Sequence, residues 1–306
     1  MNLKDFEYFF QLSQLNSYTA VAQHFGVSQP TITYAIKRLE EQFNTSLIIK
    51  DPSHRTVVLT HEGLILATHI EHILMELSVT RKEIQRASQK ITTIGFPPII
   101  RARIISKLLT KHKDISFLRQ FNLHTEGSKS LLQELIQGEI DFSFIGSRTA
   151  LSHPDLTIVP LYKREFYIIV SEKHPLAKRK EISFKDILNE DFIMLNSGHT
   201  HSDVFNHLNA RYHNQARVIF ELNEVSLVGQ LVKENIGITL LTDFVLFTDT
   251  DGLVKIPFIE QEKQYFHVSY AYPTHAILNQ DIQQLISLLT DIKDETISET
   301  QSTTEF

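Results

Sequence analysis

The stretch SYTAVAQHFGVSQPTITYAIKRLEEQF, residues 17–43, constrains this chain most. Ser17 is placed to cap a short helix that buries Ala20, Val21 and Phe25. Gly26 supplies the turn that follows, because φ > 0 is cheap without a Cβ. Ser28 caps the next helix, and Pro30 stands in its first turn, where a missing N–H costs little. Along that helix Ile32, Ala35, Ile36, Leu39 and Phe43 share one face, and Thr31, Thr33, Tyr34 and Lys37 fall away from it. Leu3, Phe6, Phe9, Phe10 and Leu12 predict a preceding helix over residues 3–15. The pattern is that of a helix-turn-helix, whose second helix enters a DNA groove with its N-terminal residues at the base edges. A plain three-helix domain carrying one amphipathic helix is the alternative.

Two β-prone runs, residues 47–50 and 56–59, then flank a turn rich in Asp, Pro and Ser. They predict a β-ribbon wing with His54 and Arg55 near its tip, where an arginine can lean toward a phosphate or a minor groove. Charge gives no help. The chain carries -6 overall, and residues 1–59 set Lys4, Lys37, Arg38, Lys50 and Arg55 against Asp5, Glu7, Glu40, Glu41 and Asp51. DNA binding is therefore argued from placement and not from a basic footprint. From residue 60 to 90 there is no Pro and one glycine, Gly63. Ile70, Leu77 and Ile84 recur every seven residues, with Leu66 and Ile73 at offset positions. That is a coiled-coil-like seam and predicts a dimer; a helix packed on its own domain is the alternative.

The run VSQPTITYAIKRLEEQF, the LIIKDPSHRTVVLTHEG wing and the long helix resemble the LysR-type transcriptional regulators. The family's usual run is Ser-Gln-Pro, a helix ending near Leu-Glu, a Leu-Phe-x-Arg and a Leu-Thr-x-x-Gly. Ser28, Gln29, Pro30, Leu39, Glu40, Leu59, Thr60 and Gly63 keep this pattern. Ile48 replaces the Phe, Lys50 the Arg, and Tyr34 an Arg or Ser often found there. A lysine meets a phosphate without the arginine fork. The resemblance implies DNA contacts from Ser28, Gln29, Pro30, Thr31, Thr33, Tyr34, Lys37, Arg38, Lys50 and Arg55. It also implies double-stranded promoter DNA and RNA polymerase as partners, and a homodimer that pairs into a tetramer.

Beyond Ile91, strand-like and helical runs alternate, which argues for a parallel α/β sheet: ITTIGF, a helix through Ile104 and Leu108, SFLRQFNLH, a helix closed by Gly138, and FSFIG. The family resemblance implies more, namely two α/β lobes with a hinged cleft like that of periplasmic binding proteins. The expected division is residues 1–59 for DNA, 60–90 for dimerisation, 91–293 for the effector and 294–306 as a polar tail. Lobe 1 spans about 91–161 and 265–293, and lobe 2 about 162–264. Small ligands in such folds sit at strand C-termini between lobes, and helix N-termini favour anions. The loops at those positions contribute Pro98, Ile99, Ile100, Arg101, Thr125, Gly127, Ser128, Gly146, Ser197, Gly198, His199, Thr200 and Ser226. Small hydroxyls and bare amides suit a carboxylate. Arg101 reads equally as an anion clamp or a surface residue. The run IGFPPII is similar to that of malolactic fermentation regulators within the family, which implies malate or another small dicarboxylate.

Other classes fit less well. Zero Cys removes disulfides, thiol catalysis and Cys-based zinc sites. The 15 His include the pairs His69/His72 and His199/His201, but no carboxylate cluster closes a metal site. No cofactor is expected. His199 or His201 beside an anion would gain a proton more readily. No membrane span or signal peptide is read, so the cytoplasm is the expected compartment. The alternatives are a solute-binding protein, which has no need of residues 17–63, and an enzyme using the cleft, for which no acid, base or nucleophile converges.

Overall fold

The computed structural model describes residues 2–50, 56–111, 116–242 and 252–290. The wing tip with His54 and Arg55, and the tail 294–306, lie outside the described residues. The chain divides into two compact units, Met1–Ile84 and Gln85–Phe306.

The first unit is a winged helix-turn-helix. Helices α1 (Leu3–Leu15), α2 (Tyr18–Phe25) and α3 (Gln29–Phe43) precede strands β1 (Ile48–Lys50) and β2 (Val57–Leu59) and the long α4 (His61–Gln89). Ser17 Oγ accepts from the Ala20 N–H at 3.3 Å, capping α2; such a cap contributes about 1 kcal/mol. Gly26 ends α2 at φ 63°, and Pro30 lies in the first turn of α3. Phe6, Phe9, Leu12, Val21, Ile32, Ala35, Ile36 and Leu39 form the core. Phe43, expected on that face, is exposed at the end of α3. The wing joins α4 closely. Thr60 Oγ1 accepts from the Gly63 N–H at 2.9 Å and donates to the Ser46 carbonyl at 2.8 Å. A Cβ on Gly63 would lie 2.1 Å from the Leu47 carbonyl oxygen, so only glycine fits.

The seam expectation needs correcting in part. Ile70 is 0% exposed and packs into the helix-turn-helix core of its own unit, with Leu66 against the same cluster. Leu77 is half-buried, and Ile73 and Ile84 are exposed, the latter 65%.

The second unit opens with β3 (Thr92–Phe96), α5 (Pro98–Lys111), β4 (Phe121–Thr125), α6 (Ser128–Ile136) and β5 (Phe142–Ser147). β3 pairs in parallel with both β4 and β5. The run SFLRQFNLH is only half strand: Ser116–Gln120 is a 3-10 turn. The long β6 (Leu156–Ser171) follows, then β7 (Asp191–Leu195), α7 (Thr200–Ala210), β8 (Arg217–Leu222), α8 (Val225–Lys233), β9 (Thr239–Thr242), β10 (Leu253–Pro257) and β11 (Tyr265–Pro273). A last helix, α9, covers residues 280–290. One seven-stranded sheet runs β10-β6-β11-β5-β3-β4, with β9 also on β6, and β7 and β8 form a separate parallel pair. β6 serves both lobes, pairing with β11 along one half and with β9 and β10 along the other. Its register on β11 shifts by one at Leu161, beside Pro160. A proline has no N–H for the ladder and is tolerated at such a bulge. Asn235 adopts φ 58°, as Asn does more readily than most residues. No helix among the described residues is long and apolar enough to cross a membrane.

Candidate DNA-binding surface and effector cleft

α3 buries its apolar stripe and turns a polar face outward. Tyr34 is 64% exposed, and Ser28, Gln29, Pro30, Thr31 and Lys37 are exposed beside it. Thr33 is half-buried; its hydroxyl accepts from Gln29 Nε2 and donates to the Gln29 carbonyl, both at 3.2 Å. Ser28 and Thr31 hydroxyls pair at 2.9 Å. These contacts hold short side chains in order along the first turns. Lys37 has only a long, exposed partner, Glu41 at 3.7 Å, and such pairs contribute little. Arg38 is different. Its guanidinium donates twice to Asp5 of α1, at 3.1 Å from Nε and 2.5 Å from Nη2. The hydrogen bond to Asp5 raises its pKa. Asp5 is almost completely buried, so Arg38 ties α3 to α1 while its own side chain stays 54% exposed. Asp5 was not singled out in the sequence: an acid in a helix's first turn reads as a partner for the helix dipole. Lys50 ends β1.

In the second unit three helix N-termini converge. Pro97 and Ile99 at the start of α5, Gly127 and Ser128 at α6, and Gly198, His199, Thr200 and His201 at α7 enclose a cavity of about 10 Å³ together with Phe266 of β11. That is room for roughly one water molecule. Gly146 lies behind the wall and ties both sides. Its N–H donates to Ser128 Oγ at 2.8 Å, and its carbonyl accepts from Thr200 Oγ1 at 3.0 Å. The loops also touch: a Cβ on Gly127 would lie 2.7 Å from the Gly198 carbonyl oxygen. No side chain caps α7. His201 is 1% exposed, its ring held between Phe166 and Phe266 at 5.1 and 5.3 Å, and its Nε2 has no hydrogen-bond partner.

Six of the expected effector residues therefore line one cavity: Ile99, Gly127, Ser128, Gly198, His199 and Thr200. Ile100 does not; it is buried in the main core, because it faces inward from α5. Arg101 is exposed and donates to Thr125 Oγ1 at 2.7 Å, so it lies outside the cavity wall. Pro98, Ser197 and Ser226 are exposed and outside the wall. The expectation for His199 and His201 concerns a neighbouring anion; the protein's own groups act in the other direction. Burial lowers the His199 pKa, and burial together with His199 pushes His201 down to about 3. Phe266 was not anticipated. It sits more than sixty residues from the nearest other wall residue, His201, in a strand whose alternation gives no sign of which face meets the cavity. Among the described residues no group of three or more His, Asp or Glu is placed to hold a metal.

Two family descriptions match the chain: "Bacterial regulatory helix-turn-helix protein, lysR family" over residues 3–64, and "LysR substrate binding domain" over residues 85–293. The chain belongs to the LysR family of DNA-binding transcriptional regulators with an effector-binding domain. It is 46% identical over 293 residues to the malolactic fermentation system transcriptional activator of Lactococcus lactis subsp. lactis (strain IL1403), covering 96% of this chain and 99% of that one. The fold is shared with a Corynebacterium glutamicum OxyR C206 mutant (TM-score 0.53, 21% identity, 99% and 95% of the two chains covered). It is shared also with the effector-binding domain of QuiR in complex with shikimate (TM-score 0.54, 17% identity, 67% and 97% covered).

Proposed function

We propose that this regulator activates transcription in response to a small dicarboxylate, malate first, taken up between the two lobes of residues 91–293. The observation that carries the reading is the 46% identity, across 96% of the chain, to an activator named for malolactic fermentation. The cavity chemistry supports it. The Ser128 hydroxyl, which accepts from Gly146 and keeps its own proton to donate, and an uncapped helix N-terminus are suited to a carboxylate, and no carboxylate stands among the wall residues to repel one. The same wall offers an enzyme little, since its titratable groups are two histidines kept neutral by burial.

In this reading residues 1–59 bind promoter DNA. Gln29, Pro30, Thr31, Thr33, Tyr34 and Lys37 meet base edges or backbone, and Lys50 and Arg55 meet phosphates. Residues 60–90 dimerise through the exposed Ile73 and Ile84, dimers pair into tetramers, and the half-sites lie about one helical turn apart. The cavity holds one water's volume, so a dicarboxylate enters only if the lobes part. Malate then shifts the balance between arrangements by its differential affinity for them, which changes how the DNA is presented to RNA polymerase. The cytoplasm is the compartment this requires.

The test is a footprint on DNA upstream of the protein's own gene, at fixed salt, with and without malate. The expected result is a protected inverted repeat whose extent changes with malate. Protection should be lost when Thr33 and Tyr34 are both replaced by Ala. Protection indifferent to malate would discard the effector, and absence of protection would discard the DNA reading.

A further inference from the structure

Resting on the malate reading, we propose that His201 is the specificity residue of the cleft, and that its Nε2 pairs with the effector's 2-hydroxyl and so distinguishes a hydroxy-acid from the plain dicarboxylate. The other polar side chains around the cavity have a partner or solvent. Ser128 Oγ accepts from the Gly146 N–H at 2.8 Å, Thr200 Oγ1 donates to the Gly146 carbonyl at 3.0 Å, and the His199 ring is only half-buried. The open N-terminus of α7, eleven residues long, serves a carboxylate. His201 Nε2 is left buried with no hydrogen-bond partner. Packing on Phe166 and Phe266 restricts the ring, so the nitrogen does not escape to solvent by rotating. Buried polar atoms in native proteins are almost always paired, and an exception calls for a ligand or a function.

The chemistry of the missing partner follows from the state of the ring. Burial, with a smaller contribution from the neighbouring His199, keeps His201 neutral. The other residues of the cavity wall carry no ionisable side chain. A neutral imidazole nitrogen either donates or accepts, according to tautomer, and a carboxylate only accepts. A hydroxyl does both and fits either tautomer. A site built around a ligand hydroxyl rejects the analogue that lacks it, because its own polar atom then stays buried and unpaired. Malate and succinate differ by that one group.

The experiment is calorimetric titration of the full-length protein with malate and with succinate, for wild type, His201→Gln and His201→Leu. Circular dichroism and operator binding check that each variant is folded. Wild type should bind malate about tenfold or more tighter than succinate. The ratio should fall toward one in His201→Leu and be partly kept in His201→Gln, whose amide nitrogen reaches a similar place. Equal affinity of wild type for the two acids would overturn the inference and leave the dicarboxylate reading intact. So would an unchanged ratio in folded His201→Leu. Failure of wild type to bind either acid would overturn both.

Discussion

His201 also makes a claim about stability. Its folded pKa is pushed down to about 3 from the ordinary 6.5. Between those values the unfolded chain holds a proton that the folded chain does not. Stability therefore rises with pH through this window and is lost as pH falls from about 6.5 toward 3. At pH 5 the expected loss is about 2 kcal/mol from this residue, and the depressed pKa of His199 adds in the same direction. Urea denaturation followed by circular dichroism should show a lower midpoint for the second unit at pH 5 than at pH 7. His201→Leu should flatten that difference, and an equal slope in the variant would mean another group is responsible. The sequence made this histidine conspicuous but not its burial, because a loop of small polar residues looks solvated. Its burial comes from Phe166 and Phe266, which only the folded sheet brings near. The Arg38–Asp5 pair was invisible for a similar reason: the two residues lie on different helices.

The long helix shows how one periodic pattern does two jobs. Ile70 and Ile84 are fourteen residues apart and read as one seam, yet a straight helix drifts about 20° per heptad. Two heptads carry Ile84 about 40° away from the direction of Ile70, and the first faces its own domain while the second faces solvent. The two should respond differently to substitution. Ile70→Ala should destabilise the first unit by about 2–5 kcal/mol, as a large-to-small change in a packed core does, seen as a lower thermal midpoint. Ile84→Asp should leave that midpoint unchanged and lower the mass measured by sedimentation equilibrium. An unaltered mass would remove Ile84 from the proposed dimer contact. Much of the helix-turn-helix was legible, since Ser17, Gly26 and Pro30 act through local backbone chemistry; Ser28, expected to cap α3, makes no side-chain cap bond and pairs with the Thr31 hydroxyl instead. SFLRQFNLH was not, because its apolar spacing suits a 3-10 turn as well as a strand.

The closed cleft rests on few contacts. Gly127 lies so near the Gly198 carbonyl that a methyl group has no room, and one buried hydrogen bond joins Thr200 to Gly146. Gly127→Ala should force the loops apart. Hydrogen–deuterium exchange should then speed up several-fold across residues 196–202 and stay unchanged in β3. Exchange indifferent to the methyl would show that the loops do not meet in solution. The two-lobed plan was not legible in periodicity, which predicts only alternating strands and helices; it came from the resemblance to a family. Least visible of all was β6, because Pro160 looks like a break and is in fact an interior position of a 16-residue strand. Leu161, the extra residue at its bulge, has a consequence for how such a chain can vary. Pro160 lies opposite Ser269 and Tyr162 opposite Val268, so the bulge absorbs one residue and leaves each later side chain of the β11-paired run on the face its partner sets. A chain shorter by Leu161 would close into a regular ladder and keep the faces of both halves of β6. It would lose the local bend and one buried leucine. Surface loops are not the only places where a change of length by one can be absorbed.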